Sequence, residues 1–116
     1  SGLKIRIHEY SFKEHDETIA YSLSIPFSST MVFAACMKRQ EAPGTTFRKH
    51  LDIAEGLLSE DDFLLTEILL SPHSLGQVER ISDQLSALTA MIRARDKTKL
   101  KLFLQELRGN IGLKTE

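Results

Sequence analysis

The fold is decided where a short run of alternating apolar and basic residues gives way to an acidic segment that opens a helix. The run is Leu3-Lys4-Ile5-Arg6-Ile7, and the acidic segment is Glu14-His15-Asp16-Glu17-Thr18-Ile19-Ala20-Tyr21. A period of two is typical of a β-strand, but so short a run cannot form a sheet by itself. We therefore predict a strand-like stub and linker over residues 1–10, whose sheet belongs to a domain outside this sequence.

The residues after the stub predict an all-α domain over residues 11–116, a bundle of five to six helices. Ser11 and Glu14 have capping-box spacing, so the first helix is expected to begin near residue 12. Pro26 lacks an amide proton and disfavours helical geometry in the residue before it. A kink or short break is therefore expected at Pro26, before the helix resumes to about residue 39.

Apolar residues that recur at intervals of three and four predict the remaining helices. They are expected over residues 46–59, 60–70, 75–92 and 97–111, after a loop at residues 41–45. The helix over residues 60–70 is apolar on most sides, so we expect it to be buried in the core or in a seam between two copies. The helix over residues 75–92 carries one continuous apolar stripe.

Helix ends are predicted from capping residues. Ser59 and the acidic run Glu60-Asp61-Asp62 suit the positive end of the 60–70 helix. Asp96 is expected to cap the last helix, and Gly109 and Gly112 are expected to help end it.

Composition excludes several classes of partner. The 15 basic and 16 acidic side chains are spread along the chain, which leaves no footprint for nucleic acid or an anionic membrane. No apolar stretch approaches the roughly 18 to 20 residues that span a bilayer. Cys36, the only cysteine, lies in an apolar run and is expected to be a small buried hydrophobe. With no internal disulfide possible, we expect a reducing, cytoplasmic location.

One helix face carries the candidate binding residues. Lys49, Asp52 and Gly56 share a face of the 46–59 helix, one turn apart. Glycine inside a helix costs roughly 1 kcal/mol relative to alanine, so Gly56 indicates close packing or the approach of a ligand, with packing favoured. Apart from His15, which has acidic neighbours, the histidines have no second ligand at helical spacing, and we predict no metal site.

Several of these segments resemble the C-terminal helical domain of the prephenate and arogenate dehydrogenase family. Glu14-His15-Asp16 is similar to the family's E-H-D and is followed by an aromatic residue at Tyr21. Leu57-Leu58-Ser59-Glu60-Asp61-Asp62-Phe63-Leu64-Leu65-Thr66-Glu67-Ile68 is similar to the family's segment in which an aspartate starts a helix that ends in an acidic residue and Ile. Leu107-Arg108 near the end of the last helix also agrees, so the resemblance covers nearly the whole chain.

The resemblance implies a two-module oxidoreductase of tyrosine biosynthesis. An N-terminal Rossmann domain, outside this sequence, would bind NAD or NADP, and the helical domain would form an intertwined homodimer and one wall of the substrate cleft. The reaction would be oxidative decarboxylation of prephenate or arogenate. The family's catalytic residues lie in the Rossmann domain, so the resemblance implies no catalytic residue and no cofactor-binding residue here, and an isolated chain without turnover.

Two positions depart from the family pattern. A histidine that contacts substrate in the family corresponds to Phe27, and an arginine that grips the ring carboxylate corresponds to Gly56. Loss of a bidentate arginine removes a strong charge-assisted contact. Lys49 is a candidate substitute cation, and Phe27, Lys49, Asp52 and Gly56 are the expected substrate-binding positions.

Two alternatives remain open. In the first, the chain is a degenerate member of this family whose helical domain serves only as an oligomerisation or regulatory module. In the second, it is an all-α chorismate mutase, which would need arginines on helices to clamp a dicarboxylate. Arg93 and Arg95 near a helix end match that requirement poorly.

Overall fold

The computed structural model describes residues 12–113, and every regular element in this part of the chain is an α-helix. The helices are α1 (Phe12–Cys36), α2 (Thr45–Leu58), α3 (Asp62–Leu69), α4 (Ser74–Arg93) and α5 (Lys97–Asn110). No strand occurs among these residues, which confirms the all-α class and the expected number of helices. The strand predicted over residues 3–7 and the cap predicted at Ser11 lie outside the described residues.

The first helix is less interrupted than the sequence predicts, and it ends slightly earlier. Pro26 lies inside α1, and the helix continues through it without the expected break. It ends at Cys36 rather than near residue 39. An internal proline costs a helix about 3 kcal/mol or more. The packing of α1 against both α2 and α3 offsets that cost.

At the junction between α2 and α3, Ser59 and Asp61 cap different helices, whereas the sequence assigns both to the start of α3. The Asp61 carboxylate accepts a hydrogen bond from the Phe63 amide at 2.6 Å, so the acidic run does cap α3 as predicted. The Ser59 hydroxyl instead donates to the Glu55 carbonyl at 2.6 Å and closes the end of α2. A hydroxyl at this position reaches a carbonyl one turn back more readily than the amides of the next helix.

The junction between α4 and α5 is a tight turn in which Arg95 adopts the left-handed conformation, with φ of 53°. The Arg95 amide donates to the Ile92 carbonyl and the Asp96 amide to the Met91 carbonyl, the hydrogen-bond pattern of a Schellman motif. The Asp96 carboxylate then accepts from the Lys99 amide at 3.0 Å, which confirms the predicted cap.

The end of α5 repeats that motif around Gly112, whose φ is 81°. Gly112 therefore ends the helix as predicted, because glycine adopts positive φ without steric cost. Gly109 lies inside α5 and contributes no break of its own.

The chain divides into two units between Ile81 and Ser82, inside α4. In the first unit α1 packs against α2 and α3, and the buried apolar side chains of the described residues lie here, at Ala54, Leu57 and Leu65. The second unit contains the end of α4 and α5, and α5 has no buried residue.

The apolar residues are less buried within this chain than core positions require, and for the 60–70 helix the expected seam between two copies stays a prediction. Leu65 is the buried residue of α3, whereas Phe63 and Leu70 are 71% and 77% exposed. The α4 stripe is uncovered at Leu75, Leu85 and Ile92, and the Cys36 thiol is exposed rather than buried. Periodicity shows which side of a helix is apolar, but burial requires a neighbouring element, and α1 covers only one side of α3.

Candidate functional site: a cleft between α1 and α2

An aromatic cluster joins the second half of α1 to the first half of α2. The Phe33 ring centroid lies 5.1 Å from that of Phe47 and 5.5 Å from that of His50, with tilted planes in both pairs. Phe47 and His50 are one turn apart on α2, so both reach the same side of α1. Tilted aromatic pairs at these distances add stabilisation beyond the apolar area they bury. The cluster therefore holds the two helices at a defined spacing.

His50 has a defined tautomer in this cluster. Its Nδ1 lies 2.9 Å from the Thr46 carbonyl oxygen, one turn earlier in α2. A carbonyl can only accept, so Nδ1 carries the proton and donates it. In the neutral ring Nε2 is then an unprotonated acceptor. A histidine oriented by a backbone carbonyl in this way is a usual arrangement for binding a ligand through Nε2.

Beside the aromatic cluster lies an open cleft of about 260 Å³. Its α1 side combines a proline, two hydroxyl residues and a phenyl ring, and its α2 side combines an imidazole with an aliphatic chain. The lining residues are Pro26, Ser29, Thr30, Phe33, His50 and Ile53. Mostly apolar walls with a few polar groups are typical of sites for small molecules, and the volume lies just below the usual range for drug-sized ligands.

The opposite side of α1 is tied to the start of α4 by buried serines. The Ser74 hydroxyl donates to the Ile68 carbonyl at 2.6 Å, and it contacts the hydroxyls of Ser24 at 2.6 Å and Ser71 at 2.7 Å. Because a hydroxyl has one proton, Ser24 and Ser71 must donate to Ser74. Ser24 and Ser74 are fully buried, so this hub anchors α1 between α2 and the α3–α4 junction.

Ser28, one turn after Ser24, differs from it in one respect. Its side chain is 7% exposed, and its hydroxyl oxygen has no hydrogen-bond partner. Buried hydroxyls without a partner are uncommon and carry a desolvation cost. Ser24 and Ser28 are therefore suited to paired mutation, because both are buried one turn apart on α1 and only Ser24 has a hydrogen-bond partner.

The structure places the four sequence-predicted site residues on two helices. Phe27 is half-buried on α1, and Lys49, Asp52 and Gly56 are exposed on α2, one turn apart as their spacing predicts. None of the four lines the cleft, although Phe27, Lys49 and Asp52 are chain neighbours of lining residues. A Cβ built on Gly56 would meet no atom within 4 Å, so the predicted packing role of this glycine is wrong in the described chain.

Sequence reasoning did not single out the residues that line the cleft. A usable signal was present in α2, where Phe47 and His50 lie at the spacing of three residues that places two rings on one face. That Phe33 meets them depends on the α1–α2 pairing, which no local pattern contains. Among the described residues no group of three or more potential ligands could hold a metal ion.

No helix in the described part of the chain is both long enough and apolar enough to cross a membrane. No protein-family model, curated protein or solved structure matches this chain.

Proposed function

We propose that this chain is the helical domain of a prephenate dehydrogenase-like oxidoreductase, in which it provides dimerisation and one wall of the substrate cleft. The observation that carries the proposal is the pairing of α1 with α2. The resemblance expects substrate contacts in two distant segments, at Phe27 and at Lys49 to Gly56. These segments lie on two helices that pack together, with an open cleft beside them.

The proposal divides the chemistry between two modules. A Rossmann domain outside this sequence would hold the catalytic groups and NAD or NADP, which would supply the hydride acceptor for the oxidative decarboxylation. The helical chain would hold and orient the substrate. A cytoplasmic homodimer is part of the proposal, supported by a single cysteine that is free and by exposed apolar helix faces.

The groups of the cleft suit the ring end of such a substrate. Nε2 of His50 accepts a hydrogen bond from a ligand hydroxyl, and the hydroxyls of Ser29 and Thr30 can donate or accept. Phe33 and Ile53 offer apolar surface to a ring. Lys49 precedes His50 in α2 and, although it does not line the cleft, is the candidate point charge for a carboxylate of the substrate.

The test is turnover by the full-length parent protein. Purified parent is mixed with prephenate or arogenate and with NAD or NADP, and reduced nicotinamide is followed by absorbance at saturating cofactor. We expect steady oxidation of one of the two substrates. Absence of turnover with all four combinations would contradict the proposal.

Two variants sharpen that assay. Lys49→Ala is expected to raise KM about tenfold with little change in kcat, because a distant carboxylate contact is made equally in the ground and transition states. Lys38→Ala, which removes an exposed lysine from the loop after α1, is the matched control and is expected to leave both constants unchanged. Equal changes in KM from the two variants would show that Lys49 does not bind the substrate.

A second candidate function is favoured by Gly56. At the position where the family has its carboxylate-binding arginine, this chain has no side chain, and a Cβ built on Gly56 would contact no other part of the chain within 4 Å. The alternative is a degenerate family member that uses the helical domain only for oligomerisation or regulation. Robust turnover by the parent protein would exclude it, and a folded, oligomeric parent without turnover would favour it.

A further inference from the structure

The cleft between α1 and α2 carries no charged side chain among the described residues that line it. Its apolar surface comes from a proline, a phenyl ring and an aliphatic chain, and its polar groups are two hydroxyls and one imidazole. Taking a charge out of water is costly unless an opposite charge pairs with it, whereas a neutral ligand needs only hydrogen bonds for its polar atoms. The lining therefore favours an uncharged ligand with few polar atoms.

The volume of the cleft suits a ligand with one ring. An apolar cavity of about 150 Å³ is enough to bind benzene. The cleft measures about 260 Å³, so it holds a six-membered ring together with one or two small substituents. Phe33 and Ile53 lie on facing walls and offer the ring apolar surface on both sides.

His50 determines which polar atom of the ring can meet α2. Its Nδ1 donates to the Thr46 carbonyl at 2.9 Å, so Nε2 of the neutral imidazole can only accept. A flip of the imidazole would break that hydrogen bond, and the contact with the Phe33 ring at 5.5 Å further fixes its position. A ligand hydroxyl can donate to Nε2, whereas the oxygen of a ketone, an ether or a carboxylate cannot.

Hydroxyl groups on the facing wall complete the hydrogen bonds of such a ligand. Ser29 and Thr30 of α1 line the cleft, and each can donate or accept. A ligand hydroxyl can therefore donate to His50 and accept from α1 at the same time. An ether oxygen on the same ring could accept from α1 but could not donate to His50. The two ligands thus differ in one hydrogen bond, the one made to Nε2.

We infer that the cleft binds an uncharged six-membered ring that carries a hydroxyl group, and that His50 selects this hydroxyl over an ether or a ketone on the same ring. The walls supply the contact with the ring, and Nε2 supplies the selection. Because His50 is exposed, water can replace the ligand hydroxyl at Nε2. The preference that His50 contributes is therefore expected to be about three- to tenfold, the contribution of one ordinary hydrogen bond.

Selection of a hydroxyl by His50 deepens the proposed function, and it rests on that proposal only for the role of the cleft as a ligand site. It needs neither the Rossmann domain nor a carboxylate on the ligand, so the chain alone is sufficient for the test. A parent protein without turnover would leave the selection by His50 intact. A chain that does not bind a ring alcohol would leave the turnover assay intact.

The test titrates the 116-residue chain with phenol and with anisole, its methyl ether, and follows backbone amide and histidine side-chain resonances by NMR. Phenol is a small fragment in an open cleft, so its dissociation constant is expected to be on the order of millimolar. The largest amide shifts are expected on α1 and α2 around the cleft. Phenol is also expected to move the Nε2 resonance of His50 and to leave Nδ1 protonated.

Two variants isolate the hydrogen bond to His50. His50→Phe keeps an aromatic ring beside Phe33 and removes the acceptor, so it is expected to lower the ratio of phenol affinity to anisole affinity about three- to tenfold. The ratio cancels the effect of the extra methyl group of anisole. His73→Phe is the matched control, because His73 does not line the cleft, and it is expected to keep the wild-type ratio.

Circular dichroism checks that both variants are helical. Equal affinity ratios in the wild type and in His50→Phe would overturn the inference, and so would a wild-type chain without saturable shifts around the cleft at tens of millimolar phenol. If His50→Phe does not fold, the wild-type histidine spectrum still decides, because an Nε2 resonance of His50 that phenol leaves unmoved would also overturn it.

Discussion

At the scale of single residues, two serines on one face of α1 allow the contribution of a buried hydrogen bond to be measured apart from the cost of burying a hydroxyl group. Ser24 donates to the fully buried Ser74 hub, whereas the Ser28 hydroxyl is buried without a partner. Removing Ser24 takes away one of the two donors to the Ser74 oxygen, and a buried hydrogen bond contributes about 0.5 to 1.5 kcal/mol. Removing an unsatisfied group takes away a cost that is already present.

Opposite effects are therefore expected from the same substitution one turn apart. Ser24→Ala should lower the free energy of unfolding by about 0.5 to 1.5 kcal/mol, because Ser74 loses one of its two donors. Ser28→Ala should leave it unchanged or raise it by up to about 1 kcal/mol. Chemical denaturation followed by circular dichroism measures both, and equal losses from the two variants would show that Ser28 has a partner after all.

At the scale of elements, α1 continues through Pro26, a residue type that usually interrupts a helix. Pro26 removes one backbone donor and crowds the preceding turn, yet the helix continues for another turn and more on either side. The Phe33 cluster holds α1 to α2 on one side and the Ser74 hub holds it on the other. Packing thus overrides a local signal that would stop an isolated helix.

Two proline substitutions test this balance. Pro26→Ala restores a helical donor and is expected to stabilise the chain by up to about 3 kcal/mol. Pro43→Ala, in the loop before α2, frees the unfolded chain and is expected to destabilise it by about 0.5 kcal/mol. Thermal unfolding gives the two signs, and destabilisation by Pro26→Ala would mean that the proline ring in the cleft wall contributes more than the missing hydrogen bond costs.

At the scale of the whole molecule, the chain has more large apolar side chains than the packing between its helices buries. Among residues 21–113 the buried apolar residues are Ala54, Leu57 and Leu65, while large side chains of α3, α4 and α5 remain exposed. Contiguous exposed apolar surface usually marks an interface. The stability of such a chain depends on what covers it.

If a second copy supplies the cover, stability must depend on concentration. The melting temperature of the wild-type chain is expected to rise with protein concentration, by the equivalent of about 2.7 kcal/mol at a hundred times the dissociation constant. A wild-type melting temperature that is independent of concentration would contradict a dimer-stabilised fold.

The features that could be predicted from the sequence are those set by residues close together in the chain. The all-α class follows from the spacing of apolar residues, and the caps at Asp61 and Asp96 follow from carboxylates placed two or three residues before the amides they accept. The face shared by Lys49, Asp52 and Gly56 follows from the helical repeat alone.

Only the tertiary structure decided which of those faces meet. The joining of Phe33 to Phe47 and His50, the Ser24–Ser74 hydrogen bond and the exposure of Phe63 and Cys36 depend on how helices pair. The strand-like stub predicted at Leu3 to Ile7 lies outside the described residues and remains a prediction. The sequence by itself determined the helices and their ends, because hydrogen bonds along a helix are local. Burial, the cleft and the uncovered faces depend on contacts between residues far apart in the chain, which local periodicity does not encode.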